Sequence, residues 1–490
     1  MEKNIATGSV TVAKPNWNAS RLTSRIVHLG CGAFHRAHQA LFTHHLLECS
    51  DSDWGICEVN LMPGNDARLI SSLKEQNLLY TVAERGALST ELKIIGSVKE
   101  ALHPEFDGIA GILDAMARPE TAIVSLTITE KGYCTQAATG RLDINNALIQ
   151  NDLANPQQPK SAPGYIVEAL NMRRQLGLPG FTVLSCDNVR ENGHVAKAAV
   201  LDLAVARDPE LAQWIEANVT FPCTMVDRIV PAATPETLQD IAAQLGVYDP
   251  CAIACEPFRQ WVIEDNFVNG RPAWDKVGAQ FVEDVVPFEM MKLRMLNGSH
   301  SFLAYLGYLG GYDTIAETMT NPDYRAAALA LMLDEQAPTL SMPEGTDLKA
   351  YAQLLIERFS NPSLKHRTWQ IAMDGSQKLP QRLLDPVRLH LAQGHSYRYL
   401  AMGIAGWMRY VGGLDEKGNA IDVVDPLVSQ YQAIHREYTE PADRVRQLMS
   451  LSAIFGHDLP ENTAFLDTVT TAYSQLIENG ARKTISMLNA

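Results

Sequence analysis

Short apolar runs alternate with longer helical patterns through the first 280 or so residues of this 490-residue chain. Four of the runs are almost continuous: RIVHLG (25–30), WGICEVNL (54–61), TAIVSLTIT (121–129) and FTVLSCDN (181–188). Runs of that length without a polar face are the pattern of strands buried on both sides of a parallel sheet. Between them lie helical stretches such as GAFHRAHQALFTHHLLE and GYIVEALNMRRQLG. This alternation predicts a doubly wound α/β fold. From about Pro287 the pattern changes. FEMMKLRMLNGSHSFLAYLGYL, YRAAALALMLDEQA, DLKAYAQLLIERFS and DPVRLHLAQG all read as helices, and strand signals nearly vanish. A boundary near residue 285 therefore separates an α/β domain (1–285) from a mainly α-helical one (286–490). The segment GGLDEKGNAIDVVD (412–425) reads as a polar excursion or a small hairpin.

Charge and composition narrow the function. The net charge of -15 argues against nucleic acid or an anionic membrane as partner. It also means that an anionic substrate needs a local cationic pocket. No apolar run approaches the roughly 18 residues of a membrane span. The stretch MEKNIATGSVTVAKPNW has no apolar core of a signal peptide, so a cytoplasmic protein is expected. Cys31, Cys57 and Cys186 sit in apolar runs and read as buried thiols, and Cys251 and Cys255 as packing thiols rather than a redox or metal pair.

RIVHLGCGAFHRAHQ joins a strand to a helix through Gly30-Cys31-Gly32. The first glycine permits a tight turn. The second lets backbone approach a pyrophosphate at the positive end of the following helix. The third glycine of the usual fingerprint is replaced by His35. After the second strand, Asp66 in LMPGNDARL is placed either to accept from the adenosine ribose hydroxyls, favouring NAD over NADP, or simply to form a Pro-Gly-Asn turn. His35, His38, His44 and His45 fall on one helix without a carboxylate or cysteine set at ligand spacing. They read as surface or capping residues, and no metal is expected.

FEMMKLRMLNGSH carries the sharpest chemistry. At about 100° per residue, Glu289, Lys292, Asn297 and His300 share one face of a helix that is otherwise apolar nearly all round. A polar stripe in such a helix is costly unless it lines a site. Gly298 lies opposite, suited to close packing. Hydride transfer to a ketone needs a proton donor and hydrogen bonds to the oxygen as it gains charge. A lysine and asparagine amides can fill those parts. Asn188 closes the strand FTVLSCDN, at the sheet edge where such folds bind ligands.

GxGAFHRAHQ, SLTITEKGY, SCDN, VDRIVP and KLRMLNGSH occur here in that order. Together they resemble the polyol-specific long-chain dehydrogenases, the mannitol dehydrogenase family, from about Arg25 to the C-terminal helices. That resemblance implies a Rossmann-type domain followed by a helical substrate domain, with NAD as cofactor and no metal. It implies Lys292 as general acid–base, Asn188 and Asn297 as the pair holding the oxygen, and His300 on a substrate hydroxyl. Glu289 and Asp227 would link the lysine to solvent, and Lys378 in DGSQKLP would lie near substrate. Gly30, Cys31, Gly32, Ala33, Phe34, His35, Arg36 and Ala37 would bind the cofactor, with Asp66 setting NAD preference. Stretches such as CEPFRQWVIEDNFVNGRP and HRTWQIAMDGSQKLPQR resemble the branch that interconverts D-mannonate and D-fructuronate, in hexuronate catabolism. Where mannitol-oxidising members carry an arginine before the DG, this chain reads Trp369-Gln370, which turns the expectation away from neutral polyols. Lys378, Arg382 or Arg367 would then pair with a uronate carboxylate. A tagaturonate reductase and a mannitol or arabinitol 2-dehydrogenase share the lysine and remain alternatives. A non-catalytic NAD-binding regulator would not need Lys292 and Asn297. A monomer is expected from the resemblance.

Overall fold

The structure is a computed structural model that describes residues 12–490. Residues 1–11, which open the stretch read above for a leader, lie outside the described residues. The chain divides into two compact units, Met1–Val286 and Pro287–Ala490.

The first unit is built on five strands: β1 (Thr23–Leu29), β2 (Trp54–Val59), β3 (Val98–Leu102), β4 (Ile123–Leu126) and β5 (Thr182–Ser185). They lie in the order β3-β2-β1-β4-β5 and every pairing is parallel. The order reverses at β1, and the crevice beyond the carboxyl ends of β1 and β4 is where such sheets take ligands. Successive residues face opposite cores, which explains the unbroken apolar runs. Val27, Val59, Val124 and Val183 pack in the core shared with four helices, Pro104–Ala117, Ala162–Gln175, Asn192–Arg207 and Pro209–Asn218. Ile26, Ile56, Ile123 and Leu184 face the other way, into a core with Leu41, Phe42 and Ile70.

The helix expected over GAFHRAHQALFTHHLLE is two helices. His38 leaves helical geometry (φ −124°, ψ −95°) and divides α1 (Ala33–Ala37) from α2 (Gln39–Cys49). Two further sheets escape the reading of apolar runs because their strands are short or half polar. One pairs Tyr80–Arg85 with Thr90–Ile95 and adds Val12–Ala13 and Ile253–Cys255 at its edges. The other orders Gln280–Val282, Gln260–Glu264 and Thr224–Asp227. Cys31, Cys57, Cys186, Cys251 and Cys255 are buried free thiols, as read.

The second unit is helical. Val286–Met291, a π-helical segment Lys292–Asn297, and α3 (Gly298–Leu309) follow without a break. The helix α3 packs on α4 (Arg398–Tyr410), and α4 on α5 (Thr463–Leu488). Small residues set that spacing: a Cβ on Gly406 would stand 2.8 Å from Leu306 Cδ2. The GGLDEKGNAIDVVD excursion closes as a hairpin through the Leu414–Ala420 bridge. Among the described residues no helix is long and apolar enough to cross a membrane.

Candidate active site

In the α/β unit the Gly30-Cys31-Gly32 turn borders a cavity of about 480 Å³. Gly30 has φ +99°, and an added Cβ would lie 2.1 Å from the Thr127 carbonyl oxygen. Only glycine fits there. The turn is tied on three sides. Gly30 N–H donates to Val59 O (2.8 Å), Cys31 N–H to Asn60 Oδ1 (2.7 Å), and Gly30 O accepts from Thr127 Oγ1 (2.6 Å). Gly32 differs: its φ is an ordinary −84°, and a Cβ there meets nothing nearer than 4.0 Å. It caps the N-terminus of α1 and faces the cavity. Arg36, on α1, lines the same cavity, with its Nε on Gly32 O (3.2 Å) and its Nη1 on Cys251 O. A cation beside backbone amides at a helix start is what a pyrophosphate requires. Asp66 lies in the first turn of the Asn65–Glu75 helix and lines the cavity too, its carboxyl raised by burial. A dinucleotide fits these residues.

Not every residue of the 30–37 stretch faces that space. Gly30, Cys31, Gly32 and Arg36 line it, whereas Ala33 and Phe34 pack against the core, and His35 and Ala37 are buried in it. His35 was expected at the cofactor; instead its Nε2 bonds Glu58 Oε1 at 2.6 Å and its ring stacks on His28. The expectation of surface histidines is also corrected. His35, His38 and His44 are all buried, because α1 and α2 turn this face toward the sheet and the Gln260–Glu264 strand. His28, His35 and Glu58 bring their ligand atoms within 4.8 Å of one another. The two imidazoles lie flat on each other at 3.3 Å, which points their nitrogens past a common centre rather than at it.

Asn188 lies just past the carboxyl end of β5. Two residues passed over in the sequence shape its loop. Buried Asp187 accepts from Ile128 N–H (3.1 Å), Thr129 N–H (2.9 Å) and Tyr133 Oη (2.5 Å). Asn192 Nδ2 donates to Ser185 O (3.1 Å), Asp187 O (3.0 Å) and Thr224 Oγ1 (3.1 Å). For Asp187 its place inside SCDN was the only available signal; Asn192, four residues beyond that motif, offered none. Asp227 ends the strand Thr224–Asp227 and is buried.

In the helical unit, Lys292 opens the π-helical segment and Asn297 closes it. Bonds from i to i+5 turn the chain less per residue than the 100° assumed above, and such bulges recur at functional sites. Lys292 and His300 are buried, with Glu289 one turn earlier and half-buried. Gly298 does allow close packing: a Cβ there would stand 2.6 Å from Gln336 Nε2 and 3.2 Å from the Arg382 carbonyl. The His300 ring lies between Phe359 (4.6 Å between centroids) and His366 (5.0 Å). Burial, then the charges of His366, Arg382, Arg358 and Lys378, hold its proton affinity well below the usual value. Its Nε2 is buried without a protein partner. Lys378 is lowered to about 8 by burial and then by Arg382. Arg382 bonds Ser301 Oγ at 3.1 Å. Arg367, the third cation expected at substrate, is exposed and caps the Thr368–Ala372 helix. Arg358 and His366 stand nearer His300 than sequence reasoning foresaw, since loop geometry between helices decides it.

The mannitol dehydrogenase Rossmann domain family matches residues 24–276, and the mannitol dehydrogenase C-terminal domain family matches residues 284–477. The chain belongs to the mannitol dehydrogenase family. It is 76% identical to a D-mannonate oxidoreductase of Escherichia coli, over 99% of each chain. It is 39% identical to mannitol 2-dehydrogenase of Pseudomonas fluorescens, solved as a ternary complex with NAD and D-mannitol. The TM-score is 0.81, over 97% of this chain and 96% of that one. A D-sorbitol dehydrogenase in substrate-free form shares 34% identity with a TM-score of 0.89 over 97% of each chain. As a family member the chain is an NAD-dependent oxidoreductase with the Rossmann-type and helical units expected of it.

Proposed function

We propose that this enzyme interconverts D-mannonate and D-fructuronate with NAD, acting in the cytoplasm as a monomer. The observation that carries the substrate is the full-length 76% identity to a D-mannonate oxidoreductase. The cations gathered about His300, in a chain of net charge -15, agree with a sugar acid.

NAD, when bound, would supply or accept the hydride at C5 of the substrate. Gly30, Gly32 and Arg36 would hold its pyrophosphate, and Asp66 would accept from the adenosine ribose. In the reducing direction Lys292 gives its proton to the C5 oxygen. Asn188 and Asn297 donate amide hydrogens to that oxygen as charge develops on it, a contribution that water, which must reorient, supplies less well. His300, kept neutral, bonds a substrate hydroxyl through Nε2 and so orients the chain. Glu289 and Asp227 return the lysine's proton to solvent. Metal plays no part.

The test is a panel followed by loss of NADH absorbance: D-fructuronate, D-tagaturonate, D-fructose and D-xylulose, each with NADH or NADPH, with and without a chelator. Chelator-insensitive oxidation of NADH, fastest with D-fructuronate, is the expected result. A preference for D-tagaturonate or a neutral ketose overturns the substrate. Lys292→Ala is expected to lower kcat by ~10²–10⁴-fold, the usual worth of a general acid, with an unchanged melting temperature. A variant keeping more than about a tenth of the rate would sink the lysine's role.

A further inference from the structure

The guanidinium of Arg382 lies in a partly buried place with no counter-ion. Its Nη1 bonds the Asn297 carbonyl (3.4 Å) and Ser301 Oγ (3.1 Å). Its Nε and Nη2 make no hydrogen bond to the described residues. Burial lowers it to about 10, with no carboxylate acting against that fall. Among the described residues no carboxylate pairs with it. Buried guanidiniums elsewhere in the chain spend more of their hydrogens within the fold: Arg228 on Glu84 Oε1 (2.5 Å), Ala37 O (2.6 Å) and Glu256 O (3.0 Å), and Arg173 on Pro179 O (2.7 Å) and Arg118 O (2.6 Å). A buried cation without an anion is costly and persists where something outside the fold supplies the charge.

The geometry says which part of the guanidinium is available. Nη1 is engaged on the last carbonyl of the π-helical segment and on a hydroxyl of α3, which fixes the plane of the group. The edge left over is Nε–Nη2, one of the two forks that match the two oxygens of a carboxylate. Lys378, one helical turn earlier in the chain, acts electrostatically on the same guanidinium and on His300. Its ammonium makes one bond, to Ile371 O at 3.1 Å, and so keeps hydrogens to donate. Its acidic neighbours are already occupied in part: Asp425 accepts from Ser376 N–H (2.8 Å), Ser376 Oγ (2.7 Å) and Tyr431 Oη (3.1 Å). His300 Nε2, unpartnered and buried, lies among these cations.

We propose that Arg382, through its Nε–Nη2 edge and with Lys378 beside it, binds the carboxylate at the end of the substrate remote from the reacting carbon, and so makes the enzyme selective for sugar acids. This rests on the sugar-acid reading above and assigns the selectivity to one residue. Arg367, exposed, has no part in it.

D-Fructuronate and D-fructose test it directly, because they differ by a carboxylate against a CH2OH at that end. The ratio of kcat/KM for D-fructuronate to kcat/KM for D-fructose is measured with the full-length enzyme and NADH. In Arg382→Gln the ratio is expected to fall by about 10²-fold, mostly through KM, the scale of a lost charge-assisted pair. In Arg382→Lys, which keeps the charge and loses the fork, the fall is expected to be intermediate. A ratio within threefold of wild type in both variants overturns the anchor. So does an equal loss on both substrates, which marks a merely structural role. If Arg382→Gln does not fold, Arg382→Lys and the melting-temperature gain from D-mannonate against D-mannitol, each with NAD, decide the matter by the same comparison. Failure of the broader reading looks different: the wild-type enzyme itself would then prefer a substrate without a carboxylate.

Discussion

Gly30 and Gly32 stand two residues apart in one turn, yet the structure requires them for different reasons, and substitution separates the two. Alanine at position 30 must hold φ near +99° and place its methyl 2.1 Å from Thr127 O. The backbone penalty is about 1–2 kcal/mol. Relieving the contact costs about 1–3 kcal/mol more, because Thr127 is itself held by its N–H on Leu29 O at 3.0 Å. A total near 2–5 kcal/mol follows, at roughly 2–4 °C in melting temperature per kcal/mol for a domain of this size. Alanine at position 32 has an ordinary φ and no atom within 4.0 Å. Its effect on stability is expected to stay within about 1 kcal/mol. Its methyl, however, enters the cavity where the pyrophosphate approaches the turn, so NAD affinity is expected to fall at least about tenfold. Thermal melts of the cofactor-free proteins and fluorescence titrations with NADH measure the two effects separately. The division of labour would be refuted by a Gly32→Ala protein that melts as low as Gly30→Ala. Wild-type NADH affinity in Gly32→Ala would refute it equally.

The pH dependence of substrate binding follows from Lys378. Burial and Arg382 lower it to about 8, so the ammonium is complete below that pH and is lost above it. KM for D-fructuronate is expected to be flat near pH 7 and to rise from pH 8 to 9.5, with a smaller rise for D-fructose. Because the folded value lies below the ordinary ~10.4, the unfolded chain binds more protons between about 8 and 10.4, and this group's contribution to stability rises with pH across that window. Gly375→Ala is expected to cost about 1–3 kcal/mol, read by denaturant unfolding. Its methyl would lie 2.6 Å from Trp407 Nε1 and 2.7 Å from Tyr305 Oη. A stability unchanged within 0.5 kcal/mol, on the order of an ordinary surface substitution, would show that this packing yields.

Much of the architecture was legible because burial on both faces leaves an unmistakable trace. All four apolar runs became strands of the parallel sheet, with ends displaced by a few residues: the first begins two residues earlier and the others stop short of their runs. The long helices after residue 287 were equally plain. Strands with one polar face were not. Tyr80–Arg85 (YTVAER) and Thr90–Ile95 (TELKII) carry charges at intervals that suit strand and helix alike, and what makes them strands is their pairing with each other. In the helical unit FEMMKLRMLNGSH read as one α-helix, whereas its Lys292–Asn297 stretch is π-helical. Gly298, Gln336 and Arg382 meet where three π-helical segments adjoin. Of the three cations named for a carboxylate, chain position alone could not rank an exposed Arg367 against a partly buried Arg382.

The replaced third glycine shows how far a fingerprint can be read from sequence and where geometry takes over. That position ordinarily admits close packing of helix on strand, and His35 there ought to weaken the case for a dinucleotide. The register supplies the reason that it does not. Glu58 on β2, His28 on β1 and Ser125 on β4 are partners in a single row across the sheet. His35 lies flat on His28 and bonds Glu58, and Gln39 Oε1 accepts from Ser125 Oγ at 2.9 Å. Burial pushes the proton affinity of His35 down and that of Glu58 up, both of which favour a neutral hydrogen-bonded pair over a desolvated ion pair. The same row reaches the cofactor turn, since His28 Nε2 lies 3.0 Å from Gly30 O and 2.8 Å from Thr127 Oγ1. A hydrogen-bonded layer thus fills the gap that a glycine would have closed, and it fixes the carbonyl of the one glycine the turn cannot do without. No single run of sequence contains that row, because it exists only once three strands are in register.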